Sequence, residues 1–175
     1  KVFRIGVATS NSPTGPFKAL PEYIKDSYSI DPAVFVDDDG KAYMFFGGLW
    51  GGQLEKWKSG AFKADDKEPG IAQPALGPRV AVMKSNMIEF EGPSKEVSIV
   101  DDEGNKLLST DHDRRFFEAA WVHKYNGLYY LSYSTGNTHY IVYATSKKPM
   151  GPYTYKGIIL NPVRGWTTHH SIVKF

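Results

Sequence analysis

Three residues far apart in the chain, Asp31, Glu118 and His169, carry side chains able to hold or move a proton. Glu118 lies in Arg115-Phe116-Phe117-Glu118-Ala119-Ala120-Trp121-Val122-His123-Lys124-Tyr125-Asn126-Gly127-Leu128-Tyr129-Tyr130, at the mouth of an apolar run. Among Phe116, Phe117 and Trp121 a carboxyl group is poorly solvated, which raises its pKa and suits it to deliver a proton near neutral pH. A rim carboxylate on an exposed strand end fits the local sequence equally well.

Repetition separates the two readings. Asp31-Pro32-Ala33-Val34-Phe35-Val36 leads to Asp39-Gly40 and then to Lys41-Ala42-Tyr43-Met44-Phe45-Phe46; Asp31 precedes Gly40 by nine residues, as Glu118 precedes Gly127. Asn-Gly or Asp-Gly between two apolar runs is a strong hairpin signal, so each carboxylate opens the first strand of a hairpin. His169-His170-Ser171-Ile172-Val173-Lys174 begins a further copy of the same shape. A second repeat interleaves with the first: Ile5-Gly6-Val7-Ala8-Thr9-Ser10, Val80-Ala81-Val82-Met83-Lys84-Ser85 and Ile141-Val142-Tyr143-Ala144-Thr145-Ser146 align without gaps. Gly15-Pro16-Phe17 and Gly151-Pro152-Tyr153 follow the first and third copies. These are copies of one supersecondary unit.

The elements that must position these residues are short strands. Phe3 to Thr9 and about Phe17 to Leu20 make the first pair. Asp31 opens the next strand, Lys41 to Gly47 returns, and Gly47-Gly48-Leu49-Trp50-Gly51-Gly52 leaves it. A polar insertion with room for a short helix runs to about Gly77. Arg79 to Lys84 and Glu96 to Val100 complete that unit. After the Glu118 hairpin, Leu128 to Ser134 is followed by the loop Thr135-Gly136-Asn137-Thr138-His139 and the third repeat strand. Asp37-Asp38-Asp39 and Asp111-His112-Asp113 invite metal readings. The first lacks the ligand spacing of an EF-hand loop and reads as a turn. In the second, alternate residues of an extended segment share a face while the middle one points away, so a solvated loop is preferred.

Repeated four-stranded antiparallel units predict an all-β fold, a β-propeller. Equivalent positions of successive blades are related by rotation about a central channel. Asp31, Glu118 and His169 are therefore expected to meet in one polar well at the axis. Residues 1–175 hold the end of one blade, two full blades and the first strand of another. A ring needs about four blades or more, so the remaining blades, or a second chain, are expected as partners.

Composition agrees with this class. Eleven Tyr, ten Phe and four Trp favour strands, while 17 Gly and 11 Pro supply turns. A net charge of +2 with interspersed signs gives no nucleic-acid or membrane surface. No apolar run approaches the roughly twenty residues of a membrane span, and the N-terminus shows no signal-peptide pattern. Without cysteine there is neither a disulfide framework nor a thiolate metal site, and the compartment stays open.

The segments Ser29-Ile30-Asp31-Pro32-Ala33-Val34-Phe35-Val36, Phe116-Phe117-Glu118-Ala119-Ala120-Trp121-Val122-His123 and the Ala-Thr-Ser…Gly-Pro-Phe/Tyr repeats resemble glycoside hydrolase family 43. The resemblance covers essentially the whole chain. It implies a five-bladed propeller, of which this chain covers about three blades, lacking the first and most of the last. It also implies inverting cleavage of β-xylosyl or α-L-arabinofuranosyl residues in xylo-oligosaccharide or arabinoxylan. By resemblance Glu118 matches the general acid and Asp31 the aspartate that modulates its pKa. His169 matches the histidine that faces a calcium ion or a water cluster at the channel's centre, usually through water. The general base has no counterpart in these residues, so the isolated chain is expected to be inactive. Family members often read Glu-Gly-Pro at the acid. Here that motif is Glu91-Gly92-Pro93, which is rejected because it follows an outer strand.

Trp50 and Trp166 lie in loops on the same face as the two carboxylates and are candidates to stack on a pentose ring, although core packing is the commoner fate of a lone Trp. Thr138 is a further substrate-binding candidate. The alternatives are a non-catalytic carbohydrate-binding propeller, a structural scaffold with no activity, and a fructoside-acting five-bladed enzyme. The last typically carries Arg-Asp-Pro and Glu-Cys signatures, where this chain has Ile30-Asp31-Pro32 and no cysteine.

Overall fold

The computed structural model describes residues 1–164 and 169–173. Strands β1 (Gly6–Thr9) and β2 (Lys18–Tyr23) form an antiparallel pair. Next comes a sheet in the order β3 (Ala33–Val36), β4 (Ala42–Phe46), β5 (Arg79–Val82) and β6 (Lys95–Glu96). A larger sheet follows, built from β7 (Ile99–Val100), β8 (Glu118–Tyr125), β9 (Leu128–Ser134), β10 (Ile141–Ser146) and β11 (Tyr153–Leu160). Its spatial order is β7-β11-β10-β9-β8. Two meanders thus lie in sequence, each preceded by the outer strands of the one before, as the repeats require.

Burial explains the strand sequences. All five residues of β4 are buried, so Ala-Tyr-Met-Phe-Phe shows no alternation and behaves as a strand covered on both faces. β3 alternates instead: Phe35 packs edge-on against Tyr129 at 5.9 Å, while Val34 and Val36 are exposed on the other face. Fully buried Phe45, Phe46, Val80, Leu131, Tyr133 and Tyr153 centre one continuous apolar core. The buried tyrosine hydroxyls are satisfied, Tyr133 donating to Arg114 O at 2.6 Å and Tyr153 to Pro149 O at 2.7 Å.

The outer strand expected over Glu96 to Val100 is split. Lys95–Glu96 pairs with β5, whereas Ile99–Val100 crosses to run parallel to β11 in the next sheet. Val97 N–H donates to Pro78 O, and Tyr153 N–H to Ser98 O. The segment thereby bonds first one blade and then the next, and a single strand cannot do both. The short helix for which the insertion has room is a 3₁₀ turn, Leu54–Trp57, preceded by another at Trp50–Gly52. Among the described residues no helix is long and apolar enough to cross a membrane.

Candidate active site

Asp31 does not begin a strand; it stands two residues before β3 with a left-handed φ of 57°. Its neighbours hold it there. Ser29 Oγ accepts the Gly48 N–H at 3.0 Å and donates to Gly52 O at 2.7 Å, and Gly47 N–H donates to Ile30 O. Gly48 must lack a side chain: a Cβ there would lie 2.8 Å from the Ile30 side chain and 3.2 Å from Glu118 Cβ. The loop leaving β4 thus passes between the two carboxylate-bearing segments.

Glu118 is the first residue of β8 and is buried. It pairs with Ser134, but the register shifts between Glu118 and Trp121, and Ala119 has φ 60°. A bulge of this kind re-aims backbone groups beside a site. Here it turns the Ala119 N–H out of the ladder and onto Asp31 Oδ2 at 3.3 Å. Two non-glycine residues in left-handed conformations cost roughly 1–3 kcal/mol each, which the surrounding bonds and burial must offset.

His169 closes the group. Its Nε2 lies 3.5 Å from Asp31 Oδ2 and 3.8 Å from Glu118 Oε1. Residues 169–173 carry no strand, contrary to the expectation; side-chain bonds hold them instead. Trp121 Nε1–H donates to Ile172 O at 3.1 Å, and His170 Nε2 is hydrogen-bonded to Ser132 Oγ at 2.6 Å. The two histidines therefore direct their ring nitrogens to different partners while both line a recess of about 150 Å³ with Asp31, Pro32, Ala120 and Trp121.

Burial pushes the Asp31 carboxyl above the usual carboxylate range, partly offset by His169 and by the Ala119 N–H. Burial likewise lowers His170 to about 4, with His169 and His123 adding to the effect. Among the described residues, the group whose donor atoms could share an ion is Asp31, Glu118 and His169, within 4.8 Å of one another.

The other sequence candidates lie outside this group. Trp50 is 41 % exposed and meets the ring of Phe117 edge-on at 4.9 Å, next to Glu118. Thr138 spends its hydroxyl on His112 O at 2.9 Å, tying two loops together. Trp166 lies outside the described residues. Glu91 is exposed and bonds Val82 O on the outer strand β5. Asp111 pairs with Arg114, and the Asp37-Asp38 turn takes up Lys124. Sequence reasoning missed Glu68 and Arg115, an ion pair behind Trp50 at 3.2 Å, because no local pattern links residues so far apart.

Comparison with known proteins places this geometry. The sequence model of glycosyl hydrolases family 43 matches residues 2–171. The chain is 61% identical to xylosidase/arabinosidase 43A of Humicola insolens, over 99% of this chain and 55% of the relative. It is 52% identical to a xylosidase/arabinosidase of Bacteroides ovatus, over 99% of this chain and 54% of the relative. A β-xylosidase/α-arabinofuranosidase from a compost microbial metagenome, solved with xylotriose in a calcium-free form, superposes with a TM-score of 0.94 at 64% identity. That match covers 99% of this chain and 54% of the other. The chain spans about half the length of the curated relatives it matches. Its two meanders and flanking strands are consecutive pieces of a five-bladed β-propeller. With its repeats, its paired carboxylates and these relatives in agreement, the chain belongs to glycosyl hydrolase family 43.

Proposed function

We propose that these residues carry the acid half of an inverting glycosidase that removes terminal β-xylosyl or α-L-arabinofuranosyl residues from xylo-oligosaccharide or arabinoxylan. The observation that carries this reading is the convergence of Asp31, Glu118 and His169 within 4.8 Å. An inverting acid and base stand roughly 6.5–9.5 Å apart, with a water between them. Asp31 and Glu118 are too close to be that pair. By resemblance to the family Glu118 is taken as the general acid and Asp31 as its neighbouring charge, with the base supplied by residues outside this chain.

In the reaction the Glu118 carboxyl gives its proton to the glycosidic oxygen as the bond to the anomeric carbon breaks. A water deprotonated by the base adds to the opposite face, and the anomeric configuration inverts. Two carboxyl groups this close make one another's ionisation costlier. The Ala119 N–H and His169 favour the ionised form of Asp31, against burial, which on balance raises its pKa. Trp50, Thr138 and Trp166 are the residues of this chain proposed to contact sugar.

Calcium suits the channel through water. Hard cations favour oxygen ligands over imidazole nitrogen, and a carboxyl that must carry a proton cannot remain a direct ligand. His169 would hold the ion through water, where it would supply a fixed positive charge beside the two carboxylates.

Hydrolysis of aryl β-xyloside and aryl α-L-arabinofuranoside, followed by proton NMR of the first-formed anomer, tests the reading. The full-length protein should release the inverted sugar and the isolated 175-residue chain should release none. A retained product, or turnover by the isolated chain, overturns the assignment of acid and base.

A further inference from the structure

Behind the site's rim lies an ion pair between a buried guanidinium and a half-buried carboxylate that the proposed chemistry leaves unused. The Arg115 side chain is 2 % exposed, and its Nη2 lies 3.2 Å from Glu68 Oε2. The other oxygen of that carboxylate, Oε1, accepts the indole N–H of Trp50. The Trp50 backbone N–H donates to Glu55 Oε2 at 3.0 Å. Arg115 is further fixed by Phe116 O and by His112 Nδ1, each at 3.4 Å. Three chain segments, around Trp50, Glu68 and Arg115, are thus joined through one carboxylate.

A buried guanidinium needs a partner, and burial does push Arg115 below its usual range while Glu68 pulls it back. A bidentate pair would turn both carboxylate oxygens to the cation. Here one oxygen is spent on a half-exposed indole beside Phe117 and Glu118. An indole pinned by its N–H presents a ring of fixed orientation, and a ligand stacking on a preordered surface avoids the cost of ordering it.

We propose that Glu68, backed by Arg115, is a positioning residue for sugar binding: it fixes the Trp50 indole as the wall on which the pentose ring stacks. The inference rests on the glycosidase reading above, and it requires Glu68 to act on sugar only through Trp50.

The test uses the full-length protein and an aryl β-xyloside. Glu68→Ala would strand the buried guanidinium and could unfold the chain. The pair is therefore removed together as Glu68→Leu with Arg115→Met, a replacement that leaves no unpaired charge. KM should rise about five-fold, the equivalent of one net hydrogen bond, with kcat changed by less than about two-fold. Glu68→Gln, which keeps an acceptor oxygen, should restore most of the affinity. In a Trp50→Ala background the Leu/Met pair should add nothing further. An unchanged KM, or effects that multiply in full, overturns the proposal.

A second readout needs no turnover. The indole ¹⁵N–H resonance of Trp50, assigned by its loss in Trp50→Phe, should shift when Glu68 and Arg115 are replaced; an unmoved resonance overturns the contact. Absence of hydrolysis of aryl β-xyloside and aryl α-L-arabinofuranoside by the full-length wild-type protein would instead sink the glycosidase reading, leaving the resonance to decide the Glu68–Trp50 contact.

Discussion

Asp31 and Glu118 head equivalent hairpins, β3–β4 and β8–β9, yet Asp31 stands two residues ahead of its strand while Glu118 is the first residue of its own. The β3 hairpin has an exposed face at Val34 and Val36, whereas the first three residues of β8 are all buried. Asp31 receives a backbone N–H that exists for it only because the β8 ladder is interrupted at Ala119. The repeat gives both carboxylates the same slot. The departures from the repeat, a bulge in one copy and a left-handed entry in the other, make them different chemically. One carboxylate is fixed by a donor from the other's strand, and the donor strand carries the residue proposed as the acid.

The sharpest way to break this comparison is to neutralise each member in the full-length protein. Glu118→Gln should cost about 10³ in kcat, the usual scale of a lost general acid. The loss should be smaller for an aryl glycoside with an acidic leaving group, which needs less protonation. Equal losses for good and poor leaving groups would remove Glu118 from the acid's place. Asp31→Asn should cost about 10² in kcat, within the range seen when a group assisting proton transfer is lost. Its effect on stability should have the opposite sign. Burial raises the Asp31 pKa above its ordinary value of 3.8, so the ionised form is less welcome folded than unfolded. Above the folded pKa that charge costs stability; below 3.8 both states are protonated and the cost is gone. Asn, whose Oδ1 still accepts the Ala119 N–H, should melt higher than wild type at pH 7, with the gain fading as pH falls from the raised folded value toward 3.8 and absent below it. A lower melting temperature at pH 7 would mean that Asp31 is held in place mainly by its charge.

How much of this was legible beforehand follows from what sequence can encode. The hairpins, the two interleaved repeats and the meeting of residues 31, 118 and 169 were readable, because a rotational repeat converts spacing into position. Gly15 and Gly151 show how far the repeat reaches. Both have φ near 80°, and a Cβ on either would touch the aromatic ring two residues on. The bulge at Ala119 was not readable, since Glu118-Ala119-Ala120 carries no glycine to mark a left-handed residue. The split at Val97 and Ser98 was hidden because both halves look like strand, and only the partner changes. Long-range ion pairs, Glu68 with Arg115 and Asp37 with Lys124, leave no local signature at all.

The far ends of the two hairpins extend the contrast. Lys124 Nζ lies 2.8 Å from Asp37 and 2.9 Å from Asp38, and the Tyr129 hydroxyl donates to Asp37 at 2.6 Å. The β8–β9 hairpin thus grips the turn of the β3–β4 hairpin away from the carboxylates. Partial burial would raise the Asp37 pKa, but bonds from Lys124, Tyr129 and the Asp38 N–H outweigh it and hold the carboxylate below 3.8. A depressed carboxylate adds stability above its unfolded pKa and loses it as pH falls through the folded value. Asp37→Asn should therefore melt lower than wild type at pH 7, and the two should converge in acid below 3.8. Equal melting temperatures at pH 7 would show that this grip contributes nothing to holding the hairpins together.

The smallest effect is expected at His170, on the segment that completes the site from a third copy of the repeat. Its Nε2 is engaged by Ser132, and its Nδ1 is buried with no partner among the described residues. Charging the ring would put a proton on an atom with no acceptor in reach, which is why burial, then His169 and His123, lower it to about 4 from 6.5. The folded state prefers the neutral ring, so the unfolded chain binds more protons between those values. The stability that this preference contributes is complete above 6.5 and is lost as pH falls toward 4. Wild-type melting temperature should therefore decline across that window, and His170→Gln, which cannot take up the proton, should decline less. Parallel curves for the two proteins would show that the segment bearing His169 is anchored by Trp121 alone.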